Sequence, residues 1–203
     1  MIPGIVLAAG ASARFAPDHK LLVPLAGHAV VYWSVKAALC SKLNSVLVVV
    51  GCRQTEILAA LAELVGHPLL KVVPNAEWAT GRASSLQAGL SAVPSQAPGV
   101  LVYPADMPLM SVDLINAVAD AFLRTGALCF PLYNQRKGHP VAFPRSWFQQ
   151  LVSLRGETSA YELIRGDWNS AVKLQRMDGR TQCNLNTPQD YRELLEPARE
   201  AWA

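Results

Sequence analysis

Charge is scarce and nearly balanced in this chain: of 203 residues, 18 are Lys or Arg and 15 are Asp or Glu, for a net charge of +3. No run of Lys and Arg would track a phosphate backbone, which argues against a nucleic-acid partner. Long apolar runs are missing too. The longest run of Val, Leu and Ile alone is "VLVVV" (46–50), far short of the ~20 residues that cross a bilayer, so no membrane partner is expected. The opening "MIPGIVLAAG" has neither the charged n-region nor the long h-region of a signal peptide. A cytoplasmic location is the expectation. Cysteine is sparse: Cys40, Cys52, Cys129 and Cys183 are scattered without C-x-x-C spacing, which removes the usual support for zinc or a redox motif. Three of them lie in apolar segments and are expected to be small buried thiols in a reducing compartment.

What the chain does have is core-forming material. Hydrophobic residues make up 51% of it, enough to bury a continuous core at this length. Short Val- and Leu-rich runs at 4–9, 45–51, 69–73, 99–105 and 127–133 suit strands covered on both faces. Between them lie helical patterns at 29–42, 53–66, 83–93 and 111–126. The last is well punctuated: Ser111 as N-cap, Asp113 in the first turn, Gly126 at the C-terminal left-handed position. Strand–helix alternation implies a Rossmann-like, mainly parallel α/β sheet flanked by helices. Later segments read as a strand at 138–143, helices at 144–154 and 159–166, a strand at 171–175, and a helix at 187–200 capped by Thr187. With no repeat, low-complexity tract or linker, one domain over 1–203 is expected.

Ligands of such sheets bind at the carboxyl ends of strands, where strand order reverses. The first strand ends in "AAGASARFAPDHK" (8–20). Gly10 and its small neighbours let backbone N–H groups approach an anion. Arg14 can fork two phosphate oxygens, and Lys20 adds a mobile point charge. The combination suits a triphosphate, although two solvated cations after a strand would look the same. A Walker loop and a dinucleotide fingerprint both fail on spacing, because no second Gly stands where either needs it. A second stretch, "VLVYPADMPLMS" (100–111), puts Asp106 just beyond a buried strand, in a turn stiffened by Pro104 and Pro108. A carboxylate there can hold Mg²⁺ against phosphate oxygens or simply cap local N–H groups.

"LAAGASARF…K" followed by "ADMP" resembles the molybdenum cofactor nucleotidyltransferases, and "GRASSLQAGL" (81–90), "KGHPVAF" (137–143) and "NLNTPQDY" (184–191) continue the likeness in order along the chain. The LAAG and GHPV spellings look most like the cytidylyltransferase branch. The resemblance implies a nucleotide-diphospho-sugar transferase type of fold and transfer of CMP from CTP to the terminal phosphate of molybdopterin, with pyrophosphate released. GTP, or a sugar or alditol phosphate acceptor, stands as the neighbouring alternative, and a recipient molybdenum enzyme is an implied partner. Ala8, Ala9, Gly10 and Ser12 would line the nucleotide site. Arg14 and Lys20 would hold the triphosphate as catalytic cations. Arg82, Ser84 and Ser85 would face ribose, base or phosphates. Asp106 would ligate Mg²⁺ with Asn186 completing the metal shell, and His139 would lie on the pterin side. Trp78, in a polar loop, could stack on a base or pterin. Trp33 and Tyr32 are expected in the core, His19 and His28 at the surface or as caps.

Three departures from the family pattern stand out. Ala16 stands in the place of the usual Gly and Pro17 follows, so the loop is expected to be stiffer. Asn184-Leu185-Asn186 stands where cytidylyltransferases have D-I-D, so the second metal contact is expected to be weaker or water-mediated. "GETSAYELI" (156–164) offers Glu157 for an Asp but lacks the family Arg. A non-catalytic cofactor-delivery protein is the rival from another class. The C-terminal "DYRELLEPARE" (190–200) is read as a solvated helix face rather than a docking helix.

Overall fold

Val46, Val48 and Val50 face one core while Leu47 and Val49, between them, face another, and all five are fully buried. That strict alternation places a strand at the centre of a sheet with helices on both sides. The structure is a computed structural model and describes residues 1–15, 18–177 and 179–202. The first half runs β1 (Gly4–Ala8), the hairpin strands β2 (Pro24–Leu25) and β3 (His28–Ala29), α1 (Val30–Leu39), β4 (Val46–Val50), α2 (Gln54–Ala60), α3 (Ala62–Val65) and β5 (Leu70–Pro74). It continues through α4 (Arg82–Ser91), β6 (Gly99–Pro104), α5 (Val112–Thr125), β7 (Cys129–Tyr133), β8 (Arg136–Lys137) and β9 (Val141–Pro144). Last come α6 (Phe148–Ser153), α7 (Ala160–Gly166), β10 (Val172–Gln175) and α8 (Pro188–Trp202).

The main sheet has the order β10-β7-β9-β6-β1-β4-β5, with β8 paired to β7. β1 lies parallel to both β4 and β6. The chain builds outward from β1 through β4 to β5, then returns to the other side of β1 as β6, so strand order reverses there. The loops after β1 and β6, carrying Gly10 to Lys20 and Asp106, therefore leave the same sheet edge side by side. On one face, α1, α5 and α8 pack through residues such as Val35, Val118, Phe122, Leu194 and Ala198; on the other, α4, α6 and α7 pack through Leu86, Leu90, Leu151 and Ile164.

Local chemistry explains most of these boundaries. Ser111 Oγ accepts the Leu114 N–H at 3.1 Å. Gly126 closes the helix at φ +64° while its N–H donates to Phe122 O at 2.7 Å. The helix expected over 53–66 breaks at Leu61, whose N–H is shared between Ile57 O and Leu58 O at 3.2 and 3.1 Å. The tightened turn keeps Leu61 in the core. The strand expected at 138–143 begins three residues later, and β9 runs antiparallel to both β6 and β7, so the mainly parallel sheet is mixed at that edge. Residues 145–147 form a 3-10 turn rather than the first turn of a helix. Tyr32 and Trp33 are buried as expected. The cysteines differ: only Cys129 is buried, whereas Cys40, just past the end of α1, and Cys183, in a loop, are exposed. Among the described residues no helix is long and apolar enough to cross a membrane.

Candidate active site

Asp106 is held from three sides. Ala105 N–H extends the β6–β1 pairing by donating to Leu7 O at 2.9 Å. Its carbonyl accepts the Ser34 hydroxyl at 2.8 Å, and Tyr103 Oη donates to Ser34 O at 2.6 Å, so α1 braces the strand end. Burial pushes the Tyr103 phenol far up, keeping it a neutral donor. From the far end of the sequence, Leu185 N–H donates to the Asp106 carbonyl at 2.8 Å. Asp106 is left 8% exposed.

Four of the expected site residues meet here. The Lys20 ammonium donates to Asp106 Oδ2 and, at 3.0 Å, to Asn186 Oδ1. Arg14 Nη2 donates to the same Asn186 oxygen at 3.2 Å. Side-chain exposure of 18% for Lys20 and 11% for Asp106 puts their ion pair in a partly desolvated setting, where charges interact more strongly than at an open surface. Asp106 Oδ1 is buried and has no hydrogen-bond partner. An orphaned carboxylate oxygen beside an amide carbonyl offers the hard oxygen donors that a divalent cation takes. Among the described residues no three His, Cys, Asp or Glu side chains gather into a metal cluster. A cation held by Asp106 and Asn186 would thus need further oxygens from water or a ligand.

Asn186 is positioned by a cap. Asp190 Oδ2 accepts the N–H groups of Asn186 and Thr187, each at 2.8 Å, and Asp190 N–H donates back to Thr187 Oγ1 at 3.2 Å. This reciprocal box fixes the start of α8 as Thr187 foretold. Burial pushes the Asp190 carboxyl up, but the Asn186 and Thr187 donors outweigh it and leave the group below its usual range. The face of "DYRELLEPARE" is not wholly solvated: Leu194 and Ala198 are buried, and Tyr191 Oη donates to Pro24 O at 2.6 Å.

The glycine loop is pinned rather than loose. Ala8 and Ala9 are buried, and Cys52 N–H donates to Ala9 O at 3.1 Å. Ser12 sits at φ +58° with a buried, unpartnered Oγ. Arg14 lies in the 3-10 turn Ala13–Phe15. Ala16 and Pro17, expected to stiffen the loop, lie outside the described residues. His19 contradicts the surface expectation: it is 2% exposed, because the loop folds its ring beneath the Gly10 carbonyl.

Beyond β5, the remaining nucleotide-side candidates form their own cluster. Asn75 N–H continues the sheet to Val50 O at 2.8 Å, and its Nδ2 donates to Ser84 Oγ at 2.9 Å and Ser85 Oγ at 3.1 Å. The Ser84 hydroxyl lies 2.8 Å from Gly81 O, so both serines are tied into the fold. Arg82 Nε donates to Glu157 Oε2 at 3.0 Å, an exposed pair across which Gly81 and Gly156 touch. Gly81 needs its φ of +116°, and a Cβ there would strike the Gly156 backbone. Trp78 is half-buried beside Gly51, packed on the core cluster that contains Ala9, instead of standing free in its loop. On the opposite side, Gln182 grips the GHP turn, accepting the His139 N–H at 2.8 Å and donating to its carbonyl at 2.8 Å. His139 Nδ1 is enclosed and unpartnered, and burial drives its ring well below the ordinary histidine range. Burial also brings Lys137 down to about 8. The anchors His19, Asn75 and Gln182 escape sequence reasoning. The only hint was His19 preceding the lysine of the motif.

The profile of the MobA-like NTP transferase domain matches residues 4–175. The chain is 30% identical over 200 residues to the purine catabolism protein PucB of Bacillus subtilis, covering 93% of each. It is 33% identical over 128 residues to 2-C-methyl-D-erythritol 4-phosphate cytidylyltransferase of Prochlorococcus marinus, covering 61% of this chain and 54% of that one. Rv0371c of Mycobacterium tuberculosis superposes with a TM-score of 0.83 at 26% identity, covering 97% of this chain and 98% of that one. A second Rv0371c structure, a complex with manganese, gives 0.79 at 24% identity, covering 96% of this chain and 98% of that one. With the family profile spanning most of the sequence, this chain belongs to the MobA-like NTP transferase domain family and is a nucleotidyltransferase.

Proposed function

We propose that this nucleotidyltransferase moves CMP from CTP to the terminal phosphate of a molybdopterin-type acceptor, with Mg²⁺ as the divalent cation. The observation that carries the reading is the Lys20 ammonium meeting Asp106 and Asn186 at once. It gathers, on one sheet edge, the residues that the reaction needs together.

The acceptor phosphate is already an anion, so its oxygen can attack the α-phosphorus without a strong general base. A phosphorus–oxygen bond forms there as the bond to the β-phosphate oxygen breaks, and pyrophosphate leaves. The obstacle is bringing two polyanions into line: two unit charges 4 Å apart repel by about 4 kcal/mol at an effective dielectric near 20. Arg14 and Lys20 would bind the triphosphate and offset that repulsion, Lys20 also countering charge on the departing pyrophosphate. The loop over Ala8, Ala9, Gly10 and Ser12 would wrap the phosphates. Arg82, released from Glu157, would face the nucleotide, and His139 with Lys137 the acceptor. When bound, a divalent ion held by Asp106 and Asn186 supplies charge neutralisation and fixes the line of attack. That a mycobacterial neighbour of the same fold was obtained as a complex with manganese is in keeping with a divalent ion.

The cytidylyltransferase relatives support cytosine as the base and keep a polyol phosphate as the alternative acceptor. The Asn184-Leu185-Asn186 spelling keeps GTP as the alternative nucleotide. The deciding experiment supplies CTP or GTP with Mg²⁺ and either molybdopterin or 2-C-methyl-D-erythritol 4-phosphate, and measures pyrophosphate. Release with CTP and molybdopterin alone is expected. Release in another arm reassigns base or acceptor, and none in any arm favours a binding protein without turnover.

A further inference from the structure

The buried imidazole of His19 has no part in the chemistry above, yet it sits directly under the glycine loop. Its Nε2 lies 2.9 Å from Gly10 O, and its Nδ1 lies 3.4 Å from Leu21 N. Leu21 N–H can only donate, so Nδ1 is the acceptor and Nε2 carries the proton that it gives to Gly10 O. One ring thereby joins the first residue of the loop to the backbone just past Lys20. Lys20, next to the ring in sequence, reaches Asp106.

The bond also has a geometric consequence. Among the described residues the single cis peptide is His139–Pro140, so the Gly10–Ala11 peptide is trans. In a trans peptide the C=O and the following N–H point in opposite directions. With the Gly10 carbonyl held inward on His19, the Ala11 N–H must face away from the buried ring, on the side where Gly10 and Ala11 are exposed. The unpartnered Ser12 Oγ belongs to the same turn.

We infer that His19 is a positioning residue: by tying down the Gly10 carbonyl it presents the Ala11 N–H as a fixed donor to a phosphate oxygen. The inference rests on the reading of this loop as a triphosphate cradle. It adds the device that orients the cradle, which would otherwise sample both senses of the glycine peptide. Burial lowers the ring's pKa and keeps it neutral, outweighing the opposing pull of the Gly10 carbonyl, and the nearby Arg53 and Lys20 reinforce this while Glu56 opposes it. A neutral ring is the form the two bonds require.

The test uses the full chain with Mg²⁺ and inorganic pyrophosphate, followed by calorimetry and by ¹H–¹⁵N spectra, with CTP in parallel. In the unmodified protein the Ala11 amide resonance is expected to shift as pyrophosphate binds. His19→Leu keeps bulk but has no donor, and should bind about tenfold more weakly, the loss of one hydrogen bond to a charged group. His19→Gln retains a donor at the Nε2 position and should stay within about threefold of the unmodified protein. If pyrophosphate binds while the Ala11 amide does not move, or if His19→Leu binds as well as the unmodified protein, the inference is overturned. It is likewise overturned if His19→Gln fails as badly as His19→Leu, since the side chain then serves only the fold. If the unmodified protein binds neither pyrophosphate nor CTP, the cradle reading itself falls, a result distinct from the others. The amide shift needs no variant, so misfolding of His19→Leu would leave the inference open to refutation.

Discussion

The backbone of Leu185 is hydrogen-bonded to the backbone of Asp106 at 2.8 Å, and this single bond joins the two ends of the site. It brings the loop before α8 across to the end of β6, so that Asn186 and Asp106 offer their oxygens to the same Lys20 ammonium. Leu185 itself is fully buried, which anchors the bond in the core.

Leu185→Ala should therefore do two things at once. Truncating a buried leucine costs about 2–5 kcal/mol through lost burial and the cavity left behind. The loosened loop should also raise KM for the nucleotide more than it lowers kcat, because Asn186 would be misplaced while the strand end before Asp106 stays held by the Ser34 bond to the Ala105 carbonyl. Urea unfolding and steady-state kinetics on the same preparation check both effects. An unchanged KM would separate Asn186 from nucleotide binding.

Asp106→Asn keeps the shape and removes the charge. Turnover should fall on the order of 10³-fold, the scale seen when a preorganised electrostatic group is lost. The rise in Tm produced by Mg²⁺ with CTP should vanish, since a ligand that no longer binds the native state no longer stabilises it. Retained pyrophosphate release would remove Asp106 from the mechanism.

Acid should weaken the fold through two buried histidines. Burial lowers the pKa of His19 and drives that of His139 well down, so both stay neutral in the native state while the unfolded chain protonates them near 6.5. Their contribution is intact above about 6.5 and is lost as pH falls from there toward the native values. The slope in that window is at most about 1.4 kcal/mol per pH unit for each histidine. Urea midpoints at pH 7.5 and 5.5 measure it, and His19→Gln should flatten the slope by roughly one proton.

The central sheet was legible because burial on both faces writes itself as continuous apolar runs: Val46–Val50 admits no other reading than a covered strand. Strand direction leaves no such trace, and nothing in the sequence of β9 marks it as antiparallel to β6. Asp106 and Lys20 were legible as charged residues just beyond buried strands, and Asn186 only through the family resemblance. Their supports were not. His19 meets Gly10 only through the path of the loop, and Gln182 meets His139 across 43 residues by side-chain geometry that no periodicity encodes. The break at Leu61 was equally hidden, because "RQTEILAALAELVG" keeps a helical pattern straight through it.

On the proposed function, Lys20 and a divalent ion would compete for the same oxygens. The ammonium rests on Asp106 Oδ2 and Asn186 Oδ1, so a cation binding without nucleotide must displace it or settle for the orphaned Oδ1. A triphosphate would draw Lys20 away and leave the pair of oxygens open. In Lys20→Met the competitor is absent, and Mn²⁺ should bind the nucleotide-free protein more tightly than it binds the unmodified one, as followed by calorimetry. The same variant should lose about 1–3 kcal/mol of stability without metal, because the mostly buried carboxylate loses the ammonium that pairs with it. Adding Mn²⁺ should restore its Tm by mass action. Turnover should fall, because the charge proposed to meet the leaving pyrophosphate would be gone. Weaker Mn²⁺ binding in Lys20→Met than in the unmodified protein would mean that ammonium and metal do not share these oxygens, and Asp106 with Asn186 would have to be read as a lysine anchor alone.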